Sequence, residues 1–181
     1  MIHYENLDKR TREFMLRELD MDLADGTLYL SPRLNKKGRG NYPSLLREAI
    51  ISHDDVWLAD QLRGNKLIKA YEQRRNPGGG YTKSRVPHSA ADTLAEGEFN
   101  RFFIRGLCAR ALEEGIKEVQ VYRGKAVRNR RPESEALIGT KKKARNLLDD
   151  LRANPGAGPV LGLPPGPNSG LTVHILRGFG G

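Results

Sequence analysis

Apolar residues return every three or four positions between Asn6 and Leu23, where Met15, Leu16, Leu19 and Leu23 line up and Lys9, Arg12, Arg17 and Asp20 take other faces. That spacing predicts an amphipathic helix, broken by Asp25-Gly26. Thr27-Leu28-Tyr29-Leu30 reads as a short strand stopped by Ser31-Pro32. A helix with Leu45, Leu46, Ala49 and Ile50 as its stripe is expected to begin at Pro43, whose missing N–H costs nothing in a first turn. A further helix after Ser52-His53-Asp54-Asp55 is expected to carry Val56, Trp57, Leu58, Leu62, Leu67 and Ile68, with Gly64 as an interruption that can end it. The strongest helical signal starts at Ser89, an N-cap candidate with Asp92 three residues on, as in a capping box. Its apolar positions, from Leu94 through Phe99, Phe102, Phe103, Ile104, Leu107 and Cys108 to Leu112, are too many for one face, which predicts burial on more than one side. Glu98, Arg101 and Arg105 stand at spacings that allow charge pairs along that helix. Gly115 suits its C-terminus. Lys117 to Tyr122 alternates as a half-buried strand does, Pro132 opens a short helical turn, and Thr140 is placed to cap a last helix holding Leu147, Leu148 and Leu151.

These elements predict the α+β class, with one helix-rich domain over residues 1–153 and a few short strands. Residues 154–181 read as an extended Pro/Gly-rich arm, with Leu163-Pro164-Pro165-Gly166-Pro167 at its centre and an alternating strand, Leu171 to Leu176, near its end. Leu171, Val173 and Ile175 are the residues that such an arm would add to a sheet, either its own or a neighbour's. Three stretches between the elements, 33–41, 73–87 and 123–131, read as basic loops.

Charge sharpens that picture. Among 181 residues, 31 Lys and Arg face 22 Asp and Glu, a net charge of +9. The excess favours polyanionic partners. The cations cluster as Arg33, Lys36, Lys37 and Arg39; as Arg74, Arg75, Lys83 and Arg85; as Arg128, Arg130 and Arg131; and as Lys141, Lys142, Lys143 and Arg145. If they converge they form a phosphate-binding surface, on which Tyr81 is placed to stack against a base. The bland alternative is a solvated surface with local ion pairs. No zinc-finger, helix-turn-helix or RNP signature accompanies the clusters.

Catalytic chemistry finds little footing. Cys108 is the single cysteine, so there is no internal disulfide and no cysteine-based zinc site, and it reads as a small buried hydrophobe. His3, His53, His88 and His174 lack ligand spacing, and the pairs Asp54/Asp55, Glu133/Glu135 and Asp149/Asp150 lack the flanking residues of a nuclease core. Asn76-Pro77-Gly78-Gly79-Gly80-Tyr81-Thr82-Lys83-Ser84 departs from a phosphate-binding loop because Thr82 stands where glycine must precede the Lys-Ser pair. Val121-Tyr122-Arg123-Gly124 and Glu133-Ser134-Glu135 match fragments of the ADP-ribosyltransferase pattern but lie too close together to wall a cleft. No catalytic residue, metal or cofactor is expected. No apolar run reaches membrane-spanning length, and Met1 to Asn6 lacks a signal-peptide layout, so an intracellular chain without a membrane partner is expected.

Leu94-Ala95-Glu96-Gly97-Glu98-Phe99-Asn100-Arg101-Phe102-Phe103-Ile104-Arg105-Gly106-Leu107-Cys108, followed by Val121-Tyr122-Arg123 and Arg131-Pro132-Glu133-Ser134-Glu135, resembles an uncharacterised family encoded in tailed bacteriophages and prophages. Tyr4-Glu5-Asn6-Leu7-Asp8 and the segment from Leu163 to Leu171 extend the resemblance over nearly the whole chain. It implies a capsid-associated or head–tail component in the virion, or in the host cytoplasm during assembly. Partners would be other virion proteins, copies of the same chain, and possible contact with packaged DNA; no site residue carries over. Three expectations compete: an assembly protein acting through many weak contacts, a basic nucleic-acid-binding accessory protein, and a nucleic-acid or nucleotide-processing enzyme.

Overall fold

The computed structural model describes residues 1–156 and 169–176. Helices α1 (Lys9–Asp25), α2 (Lys36–Ser52), α3 (Asp55–Gly64), α4 (Ala90–Glu113), α5 (Pro132–Leu137) and α6 (Ala144–Ala153) are joined by strands β1 (Tyr71–Arg75), β2 (Tyr81–Arg85), β3 (Glu118–Arg123), β4 (Lys141–Lys143) and β5 (Leu171–His174). This is an α+β fold, with one two-stranded and one three-stranded sheet, the latter ordered β4-β3-β5. All pairings are antiparallel.

The broad apolar face of α4 has the expected cause, because α1, α3 and α6 all pack on it. Phe99, Phe103, Ile104, Leu107 and Cys108 are fully enclosed, together with Met15, Leu19, Leu58, Leu62 and Leu148. Burial pushes the Cys108 thiol up to about 12, aided by the nearby Glu18 carboxylate. The inert reading of this cysteine follows from that. At Gly106 the two long helices meet backbone to side chain: an added Cβ would lie 2.6 Å from Met15 Cγ and 2.7 Å from Met15 N. Gly106→Ala should therefore destabilise the domain by about 2 kcal/mol despite alanine's better helix propensity, as urea unfolding would measure.

Of the charges expected to pair along α4, Glu98 and Arg101 do so, and all three of Glu98, Arg101 and Arg105 lie buried. Arg105 turns away from its own helix to α1, its Nε donating to Glu18 Oε2 at 2.9 Å and its Nη1 to Asp22 Oδ2 at 2.7 Å. Arg152 of α6 donates to Glu18 as well, at 2.5 Å. Arg101 reaches the carbonyls of Leu151 and Asn154 at the end of α6. Its guanidinium stands 3.9 Å from Glu98, whose carboxyl burial drives up to about 7.

That shift makes stability depend on pH. Glu98 holds its proton in the folded chain above the pH at which the unfolded chain releases it. The resulting stabilisation is complete below the unfolded value of 4.5 and is lost as pH rises through about 7. Asp55, raised mainly by burial, acts with the same sign. Unfolding free energy should fall by roughly 3 kcal/mol between about pH 5 and pH 8, and the Glu98→Gln variant should lose most of that decline.

Several local expectations are corrected. Residues 27–30 form no strand; Leu28, Tyr29 and Leu30 pack half-buried against the core without a pairing partner. The basic loop 33–41 is helical from Lys36, so Pro43 lies inside α2 and not in its first turn. Asn35 is the reason, accepting a bond from Gly38 N at 2.8 Å and so capping the helix seven residues earlier. A glycine is needed there, since a Cβ on Gly38 would stand 2.3 Å from Leu67 O. Ser89 occupies the N-cap of α4 without a side-chain bond, and Asp92 pairs instead with Arg63 at 2.8 Å. Thr140 caps no helix; its hydroxyl donates to Leu137 O at 2.7 Å, and α6 begins at Ala144, after β4.

The strand expected near the end of the C-terminal arm forms, and of the two sheets open to it, it joins its own. The central proline segment of the arm falls outside the described residues, but β5 returns to its own domain and pairs with β3, with Val173 opposite Val121. Leu171, Val173 and Ile175 are 2%, 0% and 7% exposed. They are core residues, because alternation places them on the face that meets α4.

Candidate nucleic-acid interface

The stretch 73–87, expected as an irregular loop, folds as a two-stranded ribbon. Tyr71 stands opposite Arg85, Gln73 opposite Lys83 and Arg75 opposite Tyr81. Asn76 closes the tip, where its N–H donates to Gly80 O at 2.6 Å and its carbonyl accepts from Gly79 N at 3.0 Å. Gly79 takes φ +93, a conformation that side chains resist. The consecutive glycines thus belong to a hairpin turn, not to a nucleotide loop, and a strand rather than a helix carries Lys83-Ser84.

Successive strand residues point to opposite sides, so the ribbon has two faces. Glu72, Arg74, Thr82 and Ser84 share one. Glu72 and Ser84 are the only half-buried strand positions, which orients this face toward the domain. Arg33 grips Glu72 with two parallel bonds, Nε to Oε2 at 2.8 Å and Nη2 to Oε1 at 3.0 Å. Arg74 adds a third at 3.2 Å. These partners hold the Glu72 carboxyl below its usual range. An isolated hairpin is marginal in water; here the fork on Glu72 and the bond from Lys69 N to Arg33 O tie its root to the body.

The opposite face collects Tyr71, Gln73, Arg75, Tyr81, Lys83 and Arg85, all exposed. It has three cations and no carboxylate. Tyr81 at the tip is 71% exposed and Tyr71 is 45% exposed. Lys83 Nζ lies 4.5 Å from the Tyr71 ring centre, and the Arg85 guanidinium lies 5.9 Å from it. The rings support the cations without neutralising them. Among the described residues, Arg75, Lys83 and Arg85 form no ion pair.

Three of the four basic clusters meet different fates around the ribbon and the β3 connection. Arg33 and Arg74 are spent on Glu72, while Arg75, Lys83 and Arg85 stay free on one face. Lys36, Lys37 and Arg39 are exposed in the first turn of α2, beside the ribbon root, since Asn35 N donates to Leu67 O at 3.0 Å. Arg128 and Arg130 are exposed in the connection after β3, and half-buried Arg131 precedes α5. Arg130 sits 3.9 Å from Glu135. Arg123 donates to Ser169 O and to Glu135 Oε1, each at 2.7 Å. Tyr71 and Gln73 are site residues that charge clustering alone does not mark. A different signal points to them: Tyr71 and Tyr81 open two five-residue segments that flank Asn-Pro-Gly-Gly-Gly, a glycine-rich turn of hairpin length.

Among the described residues no group of three His, Cys, Asp or Glu is arranged to hold a metal ion, and no helix is long and apolar enough to cross a membrane. Comparison with protein-family models, curated proteins and solved structures gives no match for this chain.

Proposed function

We propose that the chain binds nucleic acid through the outward face of the β1–β2 ribbon, by contacts to phosphates that do not depend on base sequence. One observation carries this reading. The ribbon's only acid is turned to the domain side and clamped, while three cations with no ion-pair partner among the described residues and two exposed tyrosines share the other side. A surface that was merely solvated would distribute acids among its bases. A two-stranded ribbon is narrow enough for the major groove of a duplex, and guanidinium and ammonium groups along it suit the phosphate rims. Tyrosines at the tip offer stacking area to an unpaired base.

An assembly role through a donated C-terminal strand has no support in this fold, because β5 is already the third strand of its own sheet. A virion protein that touches packaged nucleic acid remains compatible with the ribbon.

Fluorescence anisotropy with a labelled duplex, repeated over a salt series, tests the proposal. Three phosphate contacts predict that log K falls against log salt with a slope of at least about −3. Duplexes of unrelated sequence should bind alike. Binding that ignores salt, or that is confined to one sequence, contradicts the reading.

A further inference from the structure

The sheet β4-β3-β5 presents a second concavity, unrelated to the ribbon. Val119 and Val121 of β3 face the core. The other face of β3 carries Glu118, Gln120 and Tyr122, with Glu118 opposite Lys143 and Gln120 opposite Lys141. The N-terminal segment straps one half of this outer face. Tyr122 Oη donates to His3 O at 2.7 Å and accepts from Glu5 N at 2.7 Å, and Glu5 meets His174 Nδ1 at 2.5 Å. The other half is left open as a groove of about 610 Å³. That volume lies in the range of small-molecule sites.

Its lining is mixed. Leu112, Ile116, Val119 and Leu176 supply apolar surface, and Lys117, Lys141, Lys143 and Arg145 supply cations. Leu176 is 48% exposed, a large side chain left in solvent. Among the described residues Lys141 and Lys143 have no ion-pair partner, and Arg145 has only Asp149 at 4.0 Å. Glu118 is the one carboxylate in the lining, and it forms no ion pair within the described residues.

We infer that this groove binds a small amphiphilic anion. Its acid group, a carboxylate, sulfate or phosphate, sits among Lys141, Lys143 and Arg145, and its apolar body covers Leu112, Ile116 and Leu176. Charge complementarity selects the anion, and the apolar surface selects against a bare inorganic ion. The inference does not rest on the nucleic-acid reading, and no ribbon residue takes part.

The test uses the full chain and anilinonaphthalene sulfonate, an amphiphilic anion whose fluorescence reports binding. One saturable site per chain is expected. Decyl sulfate, decyl phosphate and decanoate should displace the probe, with their rank identifying the preferred acid group, while decanol and inorganic sulfate or phosphate at equal concentration should not. The Lys141→Gln/Lys143→Gln variant should bind the probe at least about tenfold more weakly, and Leu176→Ser at least about threefold, with unchanged circular dichroism. All three side chains are solvent-accessible and outside the core, so folding is not at risk. Unsaturable binding at many sites, displacement by inorganic ions as effective as by the decyl anions, or variants within about twofold of the parent would overturn the inference.

Discussion

Replacing Arg75, Lys83 and Arg85 together by glutamine should lower duplex affinity on the order of 500-fold at about 0.1 M salt. Each counterion released at that concentration is worth roughly eightfold, and three such factors multiply. The salt slope should flatten by about 3 in the same variant. The fold should be untouched, because these side chains are exposed and make no ion pair among the described residues. Net charge alone does not produce this result. A variant with Lys9, Arg128 and Arg130 changed to glutamine carries the same reduction from +9 and should bind within about threefold of the parent. Equal losses in the two variants would mean that the whole basic surface attracts the polyanion and the ribbon has no special part. Anisotropy titrations of both, at matched salt, separate these outcomes.

Arg105→Met should cost about 3 to 5 kcal/mol of unfolding free energy, the largest effect expected from any single substitution here. For a chain of 181 residues that is a fall in Tm of about 10 °C. The reason is what the change leaves behind. Glu18 and Asp22 are enclosed between α1 and α4, with side chains 2% and 11% exposed. Without Arg105, Asp22 keeps among the described residues only Thr27 Oγ1 at 3.3 Å as a side-chain partner, and Glu18 only Arg152. Two carboxylates would then be desolvated with half their partners gone. Adding Glu18→Gln and Asp22→Asn to Arg105→Met should recover much of the loss, since uncharged amides are cheaper to bury than unpaired carboxylates. Urea unfolding of the single and triple variants measures both numbers. If the triple variant were no more stable than the single one, packing and not charge would explain the role of Arg105.

The helical frame is legible in the sequence because its signals are local. The spacing of Met15, Leu16 and Leu19, the crowding of apolar residues from Leu94 to Leu112, and the glycines at 26, 64 and 115 all act within a turn or two of chain. What stays hidden depends on distant partners. The start of α2 follows from Asn35 and from the close approach of Leu67 O to Gly38, neither of which a periodicity reveals. Glu98, Arg101 and Arg105 stand three and four residues apart, as neighbours on one helix face, and only the packing of α1 and α6 on the same helix turns them inward. The final strand illustrates the same limit. Alternation from Leu171 to Leu176 shows that a strand forms, while the sheet it joins is decided by β3, some fifty residues earlier in the chain.

The candidate site is half legible. Composition marks the cations of 73–87 but not their geometry. Sorting them needs the register, which sends Glu72 and Arg74 to one side and Arg75, Lys83 and Arg85 to the other. Sequence spacing already contains that division, since odd and even positions of a strand part company. Three successive glycines mask it, because they suggest an irregular loop where the chain makes a hairpin turn.

Backbone amide shifts of the isotope-labelled chain, followed during titration with a duplex, test the ribbon most directly. The account predicts that the perturbed amides concentrate in residues 71–85 and the adjoining first turn of α2, with Tyr81, Lys83 and Arg85 among the largest. Perturbations gathered instead around residues 124–131 or on β4, with the ribbon silent, would contradict it.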